Sequence, residues 1–178
     1  MDYRATDTSE QIAVAELFTS VFTASEGRTE GERIGKLSSA LAARIDNEGR
    51  ICFGAYDGDA LIGSIFFTRL RFDDPAQVYM LAPVAVATKH QRRGVGKALI
   101  GYGLKELQER SVRVAVTYGD PSYYSKVGFQ ALSEDVLPAP LELSMPFGWL
   151  GQSLTAEPIP SFKGRSSCVE EFNDPALW

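Results

Sequence analysis

Apolar residues recur with two different periods along the chain, and each period predicts its own elements. Val14, Leu17, Phe18, Val21 and Phe22 fall on one helical face, behind a Thr8-x-x-Gln11 pattern that reads as a capping box. Ile34, Leu37, Leu41 and Ile45 form a second helical stripe behind Thr29-x-x-Glu32. Ser25 to Arg28 separates the two helices, and Asn47-Glu48-Gly49 closes the second. Both stripes are core faces. Residues 2–6 predict a first strand, and residues 51–56 and 60–71 predict two more, joined by the hairpin turn Asp57-Gly58-Asp59. Residues 77–86 predict a fourth strand interrupted by Pro83, which marks an edge or a bulge because proline has no N–H for a ladder.

The polar loop after that strand carries the candidate chemistry. Thr88-Lys89-His90-Gln91-Arg92-Arg93 leads into Gly94-Val95-Gly96-Lys97, where a helix over 94–110 begins. The first N–H groups of a helix have no partner within it, and the aligned peptide dipoles add partial positive charge at the same end. Such a start seats phosphate. Gly94 and Gly96 let an anion approach the backbone, and Gln91, Arg92, Arg93 and Lys97 add donors and charge. A nucleotide-triphosphate loop requires Gly, four residues, then Gly-Lys-Ser/Thr. Here Gln91 holds the first position and Ala98 the last, which excludes it. A dinucleotide fingerprint requires a small third residue, where this chain has Leu99.

Beyond the helix, residues 112–118 predict a strand and Gly119-Asp120-Pro121 a turn, and in the following Ser122-Tyr123-Tyr124-Ser125-Lys126-Val127-Gly128-Phe129 the glycine suits the left-handed turn that stops a helix. Gln91-Arg92-Arg93-Gly94-Val95-Gly96 matches Gln/Arg-x-x-Gly-x-Gly/Ala without a mismatch, and Tyr124 to Phe129 matches Tyr-x-x-x-Gly-Phe. Together, in this order, they resemble the GCN5-related N-acetyltransferases (GNAT), well over about residues 50–132 and more loosely outside. The Gly-Asp-Pro-x-Tyr-Tyr segment and the 178-residue length are similar to the small bacterial YhbS-like branch. The resemblance implies an α/β (α+β) fold, the GNAT acyl-CoA N-acyltransferase fold: a mixed central sheet with splayed parallel strands, here 79–86 and 112–118, flanked by helices.

The resemblance implies acetyl-CoA as cosubstrate and a primary amine of a small molecule or peptide as acceptor. Gln91, Arg92, Arg93, Gly94, Val95, Gly96 and Lys97 would hold the pyrophosphate. The backbone of Val84, Ala85 and Val86 would pair with pantetheine amides, as an added strand does. Tyr124 matches the family's general acid, the donor to the departing thiolate. Asp120 either caps the helix that follows or touches the cofactor. The segment Tyr79-Met80-Leu81-Ala82-Pro83 lacks the carboxylate that some relatives carry there as base, and Glu26, Glu30, Asp73 and Asp74 lie in loops that select none of them. His90, the single histidine, is read as a surface or cofactor-side residue. The alternative reading is a non-catalytic acyl-CoA-binding regulatory module on the same fold.

Composition narrows this little further. The net charge of -5 argues against nucleic acid as the main partner. Two cysteines, Cys52 and Cys168, are too few for a disulfide framework and suggest a reducing compartment. Neither a signal segment nor an apolar run of membrane-spanning length is seen. The expectation is one cytoplasmic domain over 1–178, with a core to about 146 and a tail over 147–178 docked on it by Phe162, Val169, Phe172 and Trp178. No metal or membrane partner is expected, and a homodimer is allowed. Leu141, Leu143 and Met145 alternate with polar residues and predict a late strand.

Overall fold

A computed structural model describes residues 1–178. In chain order the elements are β1 (Asp2–Ala5), α1 (Gln11–Glu26), α2 (Arg28–Ala42), β2 (Arg50–Asp57), β3 (Ala60–Leu70), β4 (Val78–Val86), α3 (Val95–Glu109), β5 (Val114–Tyr118), α4 (Pro121–Tyr124), β6 (Gln130–Ala131) and β7 (Trp149–Ser153). The strands form a mixed seven-stranded sheet in the order β1-β2-β3-β4-β5-β7-β6. No helix is long and apolar enough to cross a membrane. Contacts divide the chain into two compact units, Met1–Phe67 with Pro83–Gly103, and Thr68–Ala82 with Leu104–Trp178.

In the first unit, α1 and α2 form a tight hairpin. Val14, Leu17, Phe18 and Val21 of α1 are buried, as the stripe predicts, and so are Ile34 and Leu41 of α2. Gly27 alone breaks the helices. It takes φ +95°, its N–H donates back to the Thr23 carbonyl at 3.0 Å, and its own carbonyl accepts from Gly31 N–H at 3.0 Å. One residue thus ends one helix and opens the next, so α2 starts at Arg28 and Thr29 does not cap it. The Thr8 box is also replaced. Asp7, one residue earlier, accepts from Ser9 N–H at 2.8 Å, and the Gln11 side chain instead donates to the Ser39 carbonyl and hydroxyl, both at 3.1 Å. A carboxylate is a stronger acceptor for that first turn than a threonine hydroxyl.

β1 pairs antiparallel with β2, with Asp2 opposite Tyr56 and Ala5 opposite Phe53. β2 and β3 are apolar on both faces because both are covered. Phe66 meets Phe18 of α1 at 6.0 Å, while its neighbour Phe67 lies 2.6 Å from where a Cβ on Gly103 of α3 would sit. Phe53 packs edge-on against Phe67 and Tyr102, at 6.2 and 5.5 Å.

In the second unit, Val78 to Leu81 of β4 pair in parallel with Val114 to Thr117 of β5, and β5 pairs antiparallel with β7, from Val114–Ser153 to Tyr118–Trp149. β6 pairs with β7 through Gln130–Gly151 and Ala131–Leu150. The late strand therefore lies at Trp149–Ser153, not over 141–145. Pro138, Pro140 and Pro146 flank the alternating segment and, having no N–H, cannot extend it into a ladder, and Met145 N–H is spent on the Tyr118 hydroxyl at 2.7 Å; Leu143 is buried, but Met145 is exposed. Past β7, Phe162, Phe172 and Trp178 are buried and Val169 is half-buried. Phe72 packs on Phe162 at 4.6 Å, and Arg71 bridges Ser167.

Two helical glycines test this packing in opposite directions. A Cβ on Gly31 would lie 2.8 Å from both Thr23 Cβ and Thr23 N, whereas one on Gly101 meets nothing within 4 Å. Gly31→Ala is expected to destabilise by about 1–3 kcal/mol, overpacking outweighing the gain in helix propensity. Gly101→Ala is expected to stabilise by about 0.5–1 kcal/mol. Urea unfolding of each variant checks the pair.

Candidate active site

The loop between β4 and α3 is built by two left-handed residues. Arg92 has φ +59° and Gly94 φ +80°. Gly94 tolerates this without a Cβ penalty, and its carbonyl accepts the first helical bond, from Ala98 N–H at 3.0 Å. The N–H groups of Val95, Gly96 and Lys97 are thereby left without partners inside α3. Arg92, Arg93, Gly94 and Lys97 are exposed around them, and the space where a Cβ on Gly94 would stand is open. A helix start of 15 residues with free N–H groups, positive charge and open room is suited to a phosphate.

The base of this loop is pinned. Ala87 N–H donates to the Ile62 carbonyl at 2.7 Å, His90 N–H to the Ala87 carbonyl at 2.7 Å, and the Gln91 side-chain amide to the Val86 carbonyl at 2.9 Å. Gln91 thus uses its side-chain amide to close the loop onto the end of β4. Ala85 is buried, and Val84 and Val86 are half-buried. All three lie past Leu81, where the register with β5 ends.

Asp120 and Tyr124 belong to the second unit. Asp120 caps α4: its carboxylate accepts from Ser122 N–H at 2.9 Å and from the Ser122 hydroxyl at 2.8 Å. The Ser122 hydroxyl, then the Ser122 N–H, hold this carboxyl below the usual range. Gly128 closes the turn with φ +94°, and Phe129 is buried.

Tyr124 is half-buried, its ring edge-on to Tyr123 at 5.0 Å and to Phe129 at 5.9 Å. Its ring also fills the space above Gly119, where a Cβ would come within 2.7 Å of Cε2. Burial first, then the neighbouring Tyr123 and Asp120, push the phenol up to about 12, while the adjacent Thr117 side chain works the other way. The phenol therefore keeps its proton throughout the neutral range. Complete transfer to a thiolate, whose conjugate acid lies near 8.5, is uphill by roughly 3.5 units, so such a donor acts by hydrogen bonding as the C–S bond breaks.

Thr117 and Gly119 were not singled out in the sequence as parts of this site. Their signal is spacing alone: they flank Tyr118 at the end of β5, just before the turn. Around the same turn Tyr123, Met145 and Phe147 are exposed large apolar residues.

Residues 2–132 match a family model described as an acetyltransferase (GNAT) domain. The chain is 29% identical to an uncharacterized N-acetyltransferase, YjhQ of Escherichia coli K12, over 98% of this chain and 96% of that protein. It is 33% identical to the uncharacterized N-acetyltransferase YhbS of the same strain over 97 residues, which are 54% of this chain and 52% of YhbS. The crystal structure of Escherichia coli YhbS in complex with CoA superposes with a TM-score of 0.81 at 22% identity, covering 97% of this chain and 92% of that one. A Brucella melitensis GNAT acetyltransferase in complex with acetyl-CoA superposes with a TM-score of 0.69 at 20% identity, over 97% of both chains.

The raised phenols fix a pH dependence. Tyr124 and Tyr56 both sit near 12 in the folded protein, against about 10 for a free phenol. The folded state therefore holds their protons longer than the unfolded state does. Their contribution is complete below about pH 10 and is lost as pH rises toward 12, by up to about 1.4 kcal/mol per pH unit per phenol. Denaturant unfolding between pH 9 and 11 is expected to show falling stability, with a shallower fall in Tyr124→Phe.

Proposed function

The chain belongs to the GNAT family of acetyltransferases and is an acyltransferase, and we propose that it transfers the acetyl group of acetyl-CoA to a primary amine of a small molecule or peptide. The observation that carries this reading is the β4–α3 loop. Its left-handed Gly94 leaves the N–H groups of residues 95–97 free amid Arg92, Arg93 and Lys97, in a chain of this family. The YhbS and Brucella structures similar to it hold CoA and acetyl-CoA, and an aminoglycoside 6'-N-acetyltransferase complexed with coenzyme A shares the fold at a TM-score of 0.64. The anion matched to the loop is the diphosphate of CoA. Val84, Ala85 and Val86, beyond the ladder to β5, are the backbone proposed to pair with the pantetheine amides.

In the proposed reaction a neutral amine attacks the thioester carbonyl. The N–C bond forms, the developing oxyanion takes a hydrogen bond from backbone N–H, and the C–S bond breaks. The amine proton leaves through water, the Tyr124 phenol hydrogen-bonds the departing thiolate, and the thiolate takes its proton from solvent. Asp120 serves this site by capping the helix that carries Tyr124. Both cysteines are free, which supports a cytoplasmic setting.

Thiol release from acetyl-CoA across a panel of amines tests the reading. Tyr124→Phe is expected to lower kcat about 100-fold or more with little change in KM for acetyl-CoA. Gly94→Glu is expected to abolish CoA binding in calorimetry, through φ strain, filled space and charge repulsion. Tight CoA binding with no turnover on any amine would favour a non-catalytic acyl-CoA-binding module.

A further inference from the structure

The second unit contains an aromatic assembly that the proposed chemistry does not use. Trp178 stacks on Tyr118 with ring centroids 6.1 Å apart and planes 19° apart. Trp149 meets both, Tyr118 at 6.5 Å and Trp178 at 6.2 Å, and Phe172 closes on Trp178 at 6.4 Å. The two indoles are hydrogen-bonded: Trp149 Nε1 donates to the Leu137 carbonyl at 3.0 Å and Trp178 Nε1 to the Phe172 carbonyl at 2.8 Å. Tyr118 is held at its far end as well. Its hydroxyl oxygen accepts from Met145 N–H at 2.7 Å and lies 3.2 Å from the Ser144 hydroxyl.

Tyr118 is the last residue of β5, and the residues on either side of it both lie against Tyr124. Successive side chains of a strand point to opposite faces, so clamping Tyr118 fixes the orientation of Thr117 and Gly119. Thr117 donates its hydroxyl to the Leu81 carbonyl at 2.7 Å and faces the Tyr124 phenol. Gly119 supplies the bare backbone on which the Tyr124 ring lies, and Gly119 N–H is tied to the Gly148 carbonyl at 3.0 Å, next to Trp149. We propose that Trp178 is a positioning residue for Tyr124, acting through Tyr118 and the strand end it clamps. Proton donors lose rate steeply with small displacements, so a ring that holds the strand end sets kcat without touching substrate. This inference rests on the assignment of Tyr124 as the acid.

The test is a double-mutant cycle on the full chain, with one amine found active. Trp178→Ala is expected to lower kcat about tenfold and leave CoA affinity by calorimetry unchanged, and Trp178→Phe, which keeps a stacking ring, to restore most of the rate. In the Tyr124→Phe background, Trp178→Ala is expected to cost nothing further. An acceptor-free readout accompanies it: the phenolate absorbance at pH 10.5 is expected to be nearly the same in the parent and in Tyr124→Phe, and to be higher in Trp178→Ala than in the Trp178→Ala, Tyr124→Phe double variant. Should Trp178→Ala unfold the protein, Trp178→Phe and Tyr118→Leu carry the same cycle. If Tyr124→Phe alone keeps full kcat, the acid assignment falls and this inference with it. Additive losses in the cycle, or an unshifted phenolate, would overturn the positioning role while leaving the acid assignment intact.

Discussion

The candidate site depends first on one backbone constraint, the left-handed turn at Gly94 that ends a loop and starts a 15-residue helix. A right-handed residue there would send the chain elsewhere, and the first N–H groups of α3 would not be presented together. The rest of the first unit holds that turn still. Ile62 and Val86 carbonyls anchor the loop's base, and Val95, Leu99 and Ile100 bury the helix's inner side. Farther along, Gly103 brings α3 against Phe67 and Ile65 without a side chain between. A free N–H group binds an anion well only when its direction is already set, so this packing would contribute to the proposed binding without touching the ligand.

The second unit solves a related problem with aromatic surfaces. Tyr124 is held by rings on two sides and by glycine backbone on a third. The same burial that holds it keeps its proton in place, because an apolar surrounding disfavours the phenolate. Position and protonation state thus share one cause.

Much of the fold is legible in the chain because its elements carry strong local signals. The buried faces of α1 and α2, the Asp57-Gly58-Asp59 hairpin and the Gly128 stop all follow from periodicity and turn chemistry. Errors gather where two local signals compete. Asp7 displaces Thr8 as the first cap, and Gly27 makes Thr29 an interior residue, because a single glycine suffices to divide the hairpin. At the late strand the local signal points to the wrong segment. Leu141, Leu143 and Met145 alternate but lie among prolines, while Trp149-Leu150-Gly151-Gln152-Ser153 shows no alternation and pairs with β5 and β6.

By itself the sequence determined the glycine turn that opens α3 and the tyrosine helix, since both are written in consecutive residues whose backbone preferences act locally. Tertiary structure alone decided that Gln91 closes the loop, that Thr117 and Gly119 frame Tyr124, and that Trp178 stacks on Tyr118. These contacts join residues whose meeting depends on strand pairing and on competition for hydrogen-bond partners, and neither is specified by any one segment of the chain.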